Sequence, residues 1–231
     1  MRLSVVGKKY LDLILEVDQF THNETNRVHN VTERLGGLYN ILTLDLGDHS
    51  CISPTIEGVK RAIVVNEKKP SQRSSLTWDK INLYSYDLPT DGDWIHVMYI
   101  DDVDDPNKFM YCKSPFSIDF CTDTDRTRFS SIINSSELVF DSRERKHLYD
   151  NISTNTPLVF HDKYGCEVVI ENEIVFSYNN EPIDVNNING AGDIFSAFFI
   201  KEYTLSNFEN ACKIATKKTV SELVRRQNEK V

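Results

Sequence analysis

No apolar run in this chain approaches the ~20 residues needed to cross a bilayer. Met1 to Val6 leads directly into a strand-like segment, without the features of a signal peptide. Neither a spanning nor a secreted protein is expected, and the cytoplasm is the expected compartment. Positive charge is also short. Lys and Arg number 26 against 35 Asp and Glu, for a formal net charge of -9. That balance argues against nucleic acid or a membrane surface as a partner, while leaving room for a local basic pocket that takes phosphate. Cys51, Cys112, Cys121, Cys166 and Cys212 are scattered, odd in number and lack a Cys-x-x-Cys pair. They are expected to be reduced packing residues, not a disulfide framework or a structural zinc site. The histidines (His22, His29, His49, His96, His147 and His161) show no ligand spacing and are expected to be structural. No Gly-x-Gly-x-x-Gly follows the first strand-like segment, which counts against a dinucleotide-binding dehydrogenase.

Repeats, low-complexity segments and clear linkers are likewise missing. What is present, 231 residues with 40% hydrophobic and 26% charged side chains, fits one soluble globular domain over 1–231. Strands are expected at Leu3–Gly7, Leu11–Val17, Lys60–Glu67, Trp94–Ile100, Phe116–Phe120, Glu137–Phe140 and Pro157–Phe160. Ser74–Trp78 could return as the hairpin partner of Lys60–Glu67, beyond a charged turn at Lys68, Lys69 and Pro70. Val168–Ile170 and Ile174–Phe176 suggest another hairpin. Thr21–Asn30 is polar and reads as a loop, and Asp101, Asp102, Asp104, Asp105 and Pro106 as a solvated acidic turn. Helices are expected at Leu38–Leu44, Asp125–Asn134, Arg143–Asn151 and Ala191–Glu202. A last helix runs from Ser206, whose hydroxyl with Glu209 forms a capping box, towards Arg226. Alternating strands and helices predict an α/β sandwich around a mostly parallel sheet, and the early hairpins a small β appendage.

The segment Asn187-Ile188-Asn189-Gly190-Ala191-Gly192-Asp193 opens an apolar helical run. Glycine permits backbone angles and ligand approach that a side chain forbids, and the free N–H groups at a helix start attract anions. Two readings are open on spacing alone: a phosphate-handling turn, or an ordinary capped helix with Asp193 as a first-turn acid.

This pattern resembles the ribokinase (PfkB) family of carbohydrate kinases, which carry Asp-Thr-x-Gly-Ala-Gly-Asp near the C-terminus. Gly190-Ala191-Gly192-Asp193 matches its end; Val5-Val6-Gly7 with Asp12 is similar to the opening strand; Gly36-Gly37-Leu38-Tyr39-Asn40 matches Gly-Gly-x-x-x-Asn. Asp141-Ser142-Arg143-Glu144 lies where the family has Asn-x-x-Glu, and Gly165 falls near a turn close to the nucleotide. The resemblance implies a three-layer ribokinase-like sandwich with lid strands within about 10–33 and 60–78, and ATP with Mg2+ as cofactors. It also implies a sugar or nucleoside substrate, and a homodimer formed through the lid. Asp193 would be the catalytic base and Gly190, Ala191 and Gly192 the anion hole. Asp12, Gly36, Gly37 and Asn40 would hold the substrate, Gly165 the nucleotide, and Glu144 the magnesium network. From the residues alone, Asp141-x-x-Glu144 is equally a capping box. Asn187, Ile188 and Asp141 depart from the family pattern, and the segment from Asn40 to Trp94 is short. These departures support a rival reading, a catalytically silent relative that binds a sugar or a protein.

Overall fold

The computed structural model describes residues 1–19, 21, 24–46, 49–52, 59–66, 73–77, 92–182, 185 and 188–228. Lys68, Lys69, Pro70, Trp78, Asn187 and His22, each used in the sequence reading, lie outside the described residues.

In chain order the strands are β1 (Leu3–Val6), β2 (Lys9–Val17), β3 (Val28–Gly37), β4 (His49–Ile52), β5 (Val59–Asn66) and β6 (Arg73–Thr77). They continue with β7 (Trp94–Val97), β8 (Phe116–Asp119), β9 (Leu138–Ser142), β10 (Leu158–Asp162), β11 (Gly165–Ile170) and β12 (Glu173–Asn179). The helices are α1 (Tyr39–Leu42), α2 (Ser130–Ser135), α3 (Ala191–Tyr203) and α4 (Phe208–Asn228). Tighter 3-10 segments cover Ile100–Asp102, Pro106–Tyr111, Arg126–Phe129 and Arg143–Tyr149.

Eight strands form the main sheet in the order β12-β11-β10-β9-β8-β7-β1-β4. The pairs from β10 to β4 are parallel, while β10/β11 and β11/β12 are antiparallel. Because side chains alternate along a strand, neighbouring residues feed opposite cores. Leu138, Phe140, Val159 and Val168 pack with Ile194, Phe195, Phe199 and Ala211 of α3 and α4. Val139, Leu158, Phe160 and Val169 pack on the other face with Ile132 and Ile133 of α2 and with Phe109 and Tyr149. The result is the three-layer, mostly parallel α/β sandwich expected from the sequence. Cys166 and Cys212 are buried, Cys112 is half-buried and Cys121 is exposed, so of these four only the first two are core packing residues. No helix among the described residues is long and apolar enough to cross a membrane.

A separate four-stranded sheet, β3-β2-β5-β6, is the β appendage. Here β3 corrects the loop expected over Thr21–Asn30, since it starts at Val28 and runs on to Gly37 in antiparallel register with β2. Its polar, exposed sequence hides its strand character, because it lies at a sheet edge with little burial to pattern it. The turn between β11 and β12 is Glu171-Asn172, both with positive φ (51° and 66°), the twist a two-residue hairpin requires. At the start of α4, Asn207 and not Ser206 is the cap. Asn207 Oδ1 accepts from the Asn210 N–H at 3.0 Å, while Ser206 Oγ donates back to Glu202 O at 2.9 Å.

Candidate active site

The carboxyl ends of parallel strands in an open α/β sheet leave a crevice where ligands bind. Asp193 reaches that edge from the first turn of α3 and is 5% exposed. Its Oδ2 accepts from Asn40 Nδ2 at 2.7 Å, and the Tyr99 hydroxyl donates to Oδ1 at 2.9 Å and Oδ2 at 3.1 Å. Asn40 is oriented from behind. Arg226 of α4 donates from Nη1 to Asn40 Oδ1 at 3.0 Å and from Nη2 to Asn40 O at 2.9 Å. Guanidinium cannot accept and carboxylate cannot donate, so only one rotation of the Asn40 amide serves both neighbours.

Gly190 has φ +79, and a Cβ there would lie 2.3 Å from the Asn40 side chain. Glycine at 190 is therefore what lets the turn close onto Asn40. Within the turn, the Ala191 N–H donates to Ile188 O at 3.1 Å. That bond occupies the Ala191 N–H, one of the three groups expected to form the anion hole. Gly192 packs against His161, whose Cε1 would be 3.2 Å from a Cβ at 192. The His161 ring is tilted on Phe195 at 4.8 Å, and burial pushes its pKa down to about 4.

Asp12, expected to hold the substrate, is 2% exposed. Arg61 grips it bidentately, with Nε on Oδ1 at 2.7 Å and Nη2 on Oδ2 at 2.9 Å. A Cβ at Gly36 would come within 2.0 Å of Asp12 Oδ2, so Gly36 makes room for the carboxylate itself. Gly37 takes φ +61, where a Cβ would meet Lys8 O at 2.4 Å. Both glycines thus have an intramolecular reason beside any role towards a ligand. Arg61 also stacks over the Tyr10 ring at 4.4 Å. Burial alone would lower the Arg61 pKa, but its hydrogen bonds to Asp12 and the charges of Asp12 and Asp193 raise it.

Three further residues escaped the sequence reading. Tyr99 stands in the left-handed region at φ 55, uncommon for a large side chain, and its side chain is buried. Burial, reinforced by the Asp193 charge, holds its phenol pKa well above the ordinary value. Asp102, expected in a solvated turn, accepts from Tyr10 Oη at 3.2 Å and from buried Lys8 Nζ at 3.4 Å. Asp119, buried at the end of β8, has its pKa raised by burial and then by the charges of Asp193 and Asp141. A tyrosine and two aspartates at strand ends were the available signal, and nothing in local spacing joins them.

His96, expected to be structural, closes a buried chain of hydrogen bonds. The Trp94 Nε1–H donates to Ser117 Oγ at 3.0 Å, and Ser117 Oγ lies 2.9 Å from His96 Nδ1. Ser196 Oγ lies 3.2 Å from His96 Nε2 and donates to Asp193 O at 3.1 Å. All four links are satisfied at once if Ser117 donates to Nδ1 and Nε2–H donates to Ser196, which fixes a neutral imidazole. Burial holds its pKa at about 3.

The expected capping role of Asp141 is corrected. Its carboxylate is 1% exposed and accepts from Arg126 (3.1 and 2.8 Å), Arg145 (2.6 Å), Tyr149 (2.9 Å) and the Ser142 N–H (2.7 Å). Ser142 is the cap instead, accepting from the Glu144 N–H at 3.4 Å. Glu144 is exposed between Arg143 and Arg145. Among the described residues no group of three or more His, Cys, Asp or Glu could hold a metal ion. The two neighbours of Glu144 are turned to other acids, Arg143 to Asp162 at 3.2 Å and Arg145 to Asp141 at 2.6 Å. Gly165, with φ +137, is accounted for by strand packing, since a Cβ would strike Tyr178 O at 2.0 Å.

No family model matches the chain, and no curated protein does. Solved structures do. A putative ribokinase from Thermoplasma acidophilum is 13% identical, covers 99% of each chain and superposes with a TM-score of 0.69. Ribokinase from Cryptococcus neoformans in complex with ADP is 12% identical over 93% of this chain and 91% of that one, with a TM-score of 0.74. A nucleoside kinase from Methanocaldococcus jannaschii is 13% identical over 99% and 98%, with a TM-score of 0.65. With a parallel sheet between two helical layers and a second small sheet set beside its strand ends, the chain has a ribokinase-like fold.

Proposed function

We propose that the protein is an ATP-dependent phosphotransferase acting on a hydroxyl of a small sugar or sugar-like molecule, with Asp193 as the general base. The observation that carries this reading is the Asp193 carboxylate at the helix start, fixed by Asn40 and Tyr99 behind a glycine turn. The similar structures, two ribokinases and a nucleoside kinase, favour the same chemistry.

In the proposed step the substrate oxygen bonds to the γ-phosphorus as the bond to the departing ADP breaks, and the hydroxyl proton passes to Asp193. Little else is asked of the protein than positioning and neutralisation of charge. The hydroxyl would take the place of the Tyr99 or Asn40 hydrogen bond to reach the carboxylate. The N–H groups of Gly190 and Gly192, at the positive end of the 13-residue α3, would hold the transferring phosphate. Donors fixed in advance in this way contribute about 3–4 kcal/mol each. Magnesium, when bound, would neutralise phosphate charge. The small sheet would serve as the lid of one domain, and exposed Val28, Val31 and Leu35 on its edge strand would suit pairing with a second copy.

ATP consumption over a panel of sugars and nucleosides tests the proposal, with Asp193→Asn as the control. Turnover with one class of acceptor, reduced about 10²–10⁴-fold in the variant, is expected. A folded variant that turns over at the parent rate removes Asp193 from the mechanism. Thermal stabilisation by a sugar but not by Mg-ATP would favour the silent binding module.

A further inference from the structure

The small sheet sets two arginines beside one aspartate. Asp12 on β2 lies directly opposite Arg34 on β3 and directly opposite Arg61 on β5. Residues paired across neighbouring strands share a face, so the order across that face is arginine, aspartate, arginine. Arg61 already neutralises Asp12 through two hydrogen bonds. Arg34 is surplus. It is half-buried, and among the described residues it makes no hydrogen bond or ion pair.

Asp12 and Glu222 attract Arg34 from nearby, but each already holds another guanidinium. Arg226, which faces Arg34 from α4, is itself bonded to Glu222 at 2.6 Å, as is Arg225 at 2.7 Å. Burial, and then repulsion from Arg226, lowers the Arg34 pKa against the weaker pull of Asp12 and Glu222. Arg61 still has three of its five N–H donors to give beyond Asp12, and its guanidinium is within electrostatic reach of Asp193. Covering Arg34 with a neutral polyol would remove water from a charge without supplying a counter-charge, which is costly. A carboxylate or phosphate would be held by charge-assisted bonds from both guanidiniums.

We propose that Arg34 and Arg61 form an anion clamp, and that the hydroxyl-bearing substrate carries a carboxylate or phosphate at the end remote from Asp193. This rests on the kinase reading for its acceptor hydroxyl, but the clamp can be tested separately.

The test is thermal shift and ATP consumption with D-glucose, D-ribose and D-fructose, each beside a sugar acid of the same length and its terminal monophosphate. Inorganic phosphate is the control, and the parent is compared with Arg34→Gln and Arg34→Lys. The sugar acids or the sugar phosphates should stabilise the parent where the neutral sugars do not, and the better series identifies the anion. Arg34→Gln should weaken that binding at least tenfold, with Arg34→Lys intermediate and the shift from Mg-ATP unchanged. Equal binding of neutral and anionic sugars, no shift from any anionic member, or an equal shift from inorganic phosphate would each overturn the clamp. Neutral sugars that are phosphorylated with Arg34→Gln unaffected would leave the kinase reading standing alone. Anion binding that depends on Arg34 with no ATP consumed would support the clamp and sink the kinase reading.

Discussion

Replacing Arg61 with methionine keeps an apolar stem in place and leaves the carboxylate of Asp12, 2% exposed, without its bidentate partner. Breaking a buried ion pair from one side costs about 3–5 kcal/mol, because the remaining charge is stranded. The Arg61 side chain is 17% exposed and Arg34 stands across the neighbouring strand, so the lower end applies. For a chain of this size about 3 kcal/mol corresponds to a fall in Tm of roughly 6–12 °C. Calorimetry on Arg61→Met, Asp12→Leu and the double variant closes the cycle. The double variant should recover most of the loss, since an apolar pair of similar volume replaces an ion pair at little cost. Combining Arg61→Met with Arg34→Gln should deepen the loss, because no guanidinium then faces Asp12. An Arg61→Met protein within about 2 °C of the parent, or a double variant no better than Arg61→Met alone, would refute the account of Asp12 as a charge held by its neighbour.

Two other outcomes follow from the packing. His96 has its pKa held at about 3 by burial, against an ordinary 6.5, so between those values the unfolded chain binds a proton that the native one does not. Stability should therefore fall as pH is lowered from about 6.5, by up to about 1.4 kcal/mol per unit for that group. His161 acts in the same direction down to about 4. Urea titrations at neutral and acid pH measure the slope, which His96→Gln should flatten, and equal stability at both would contradict it. Asn207→Ala should cost about 1 kcal/mol, and Ser206→Ala less than about 0.5. Parallel denaturation curves check the order, and the reverse order would return the cap to Ser206.

The main sheet was legible because apolar strand runs and helical spacing recur at the right lengths, and the Gly190–Asp193 turn stood out only in company with Asp12 and Gly36-Gly37, since its spacing alone also suits a capped helix. Asp12 and Asn40 could be singled out, but their partners could not. Arg61 and Arg34 meet Asp12 through strand register, which a one-dimensional pattern does not encode. Tyr99 looks like the tail of an apolar strand until its left-handed backbone turns the ring towards Asp193. Asp141-x-x-Glu144 has the spacing of a cap, yet buried Arg126 (0% exposed) makes Asp141 worth more as a counter-charge. The edge strand β3 was hidden by its own polarity.

Arg226 is separated from Asn40 by 186 positions along the chain, yet it sets which way that amide faces. The final turns of α4 are thereby a tether on the residue that touches Asp193. A chain that frayed there would let the amide rotate and present oxygen to oxygen across the Asn40–Asp193 contact. Docking of the last helix and readiness of the carboxylate are consequently a single event, so the site is completed only when nearly the whole polypeptide has come together.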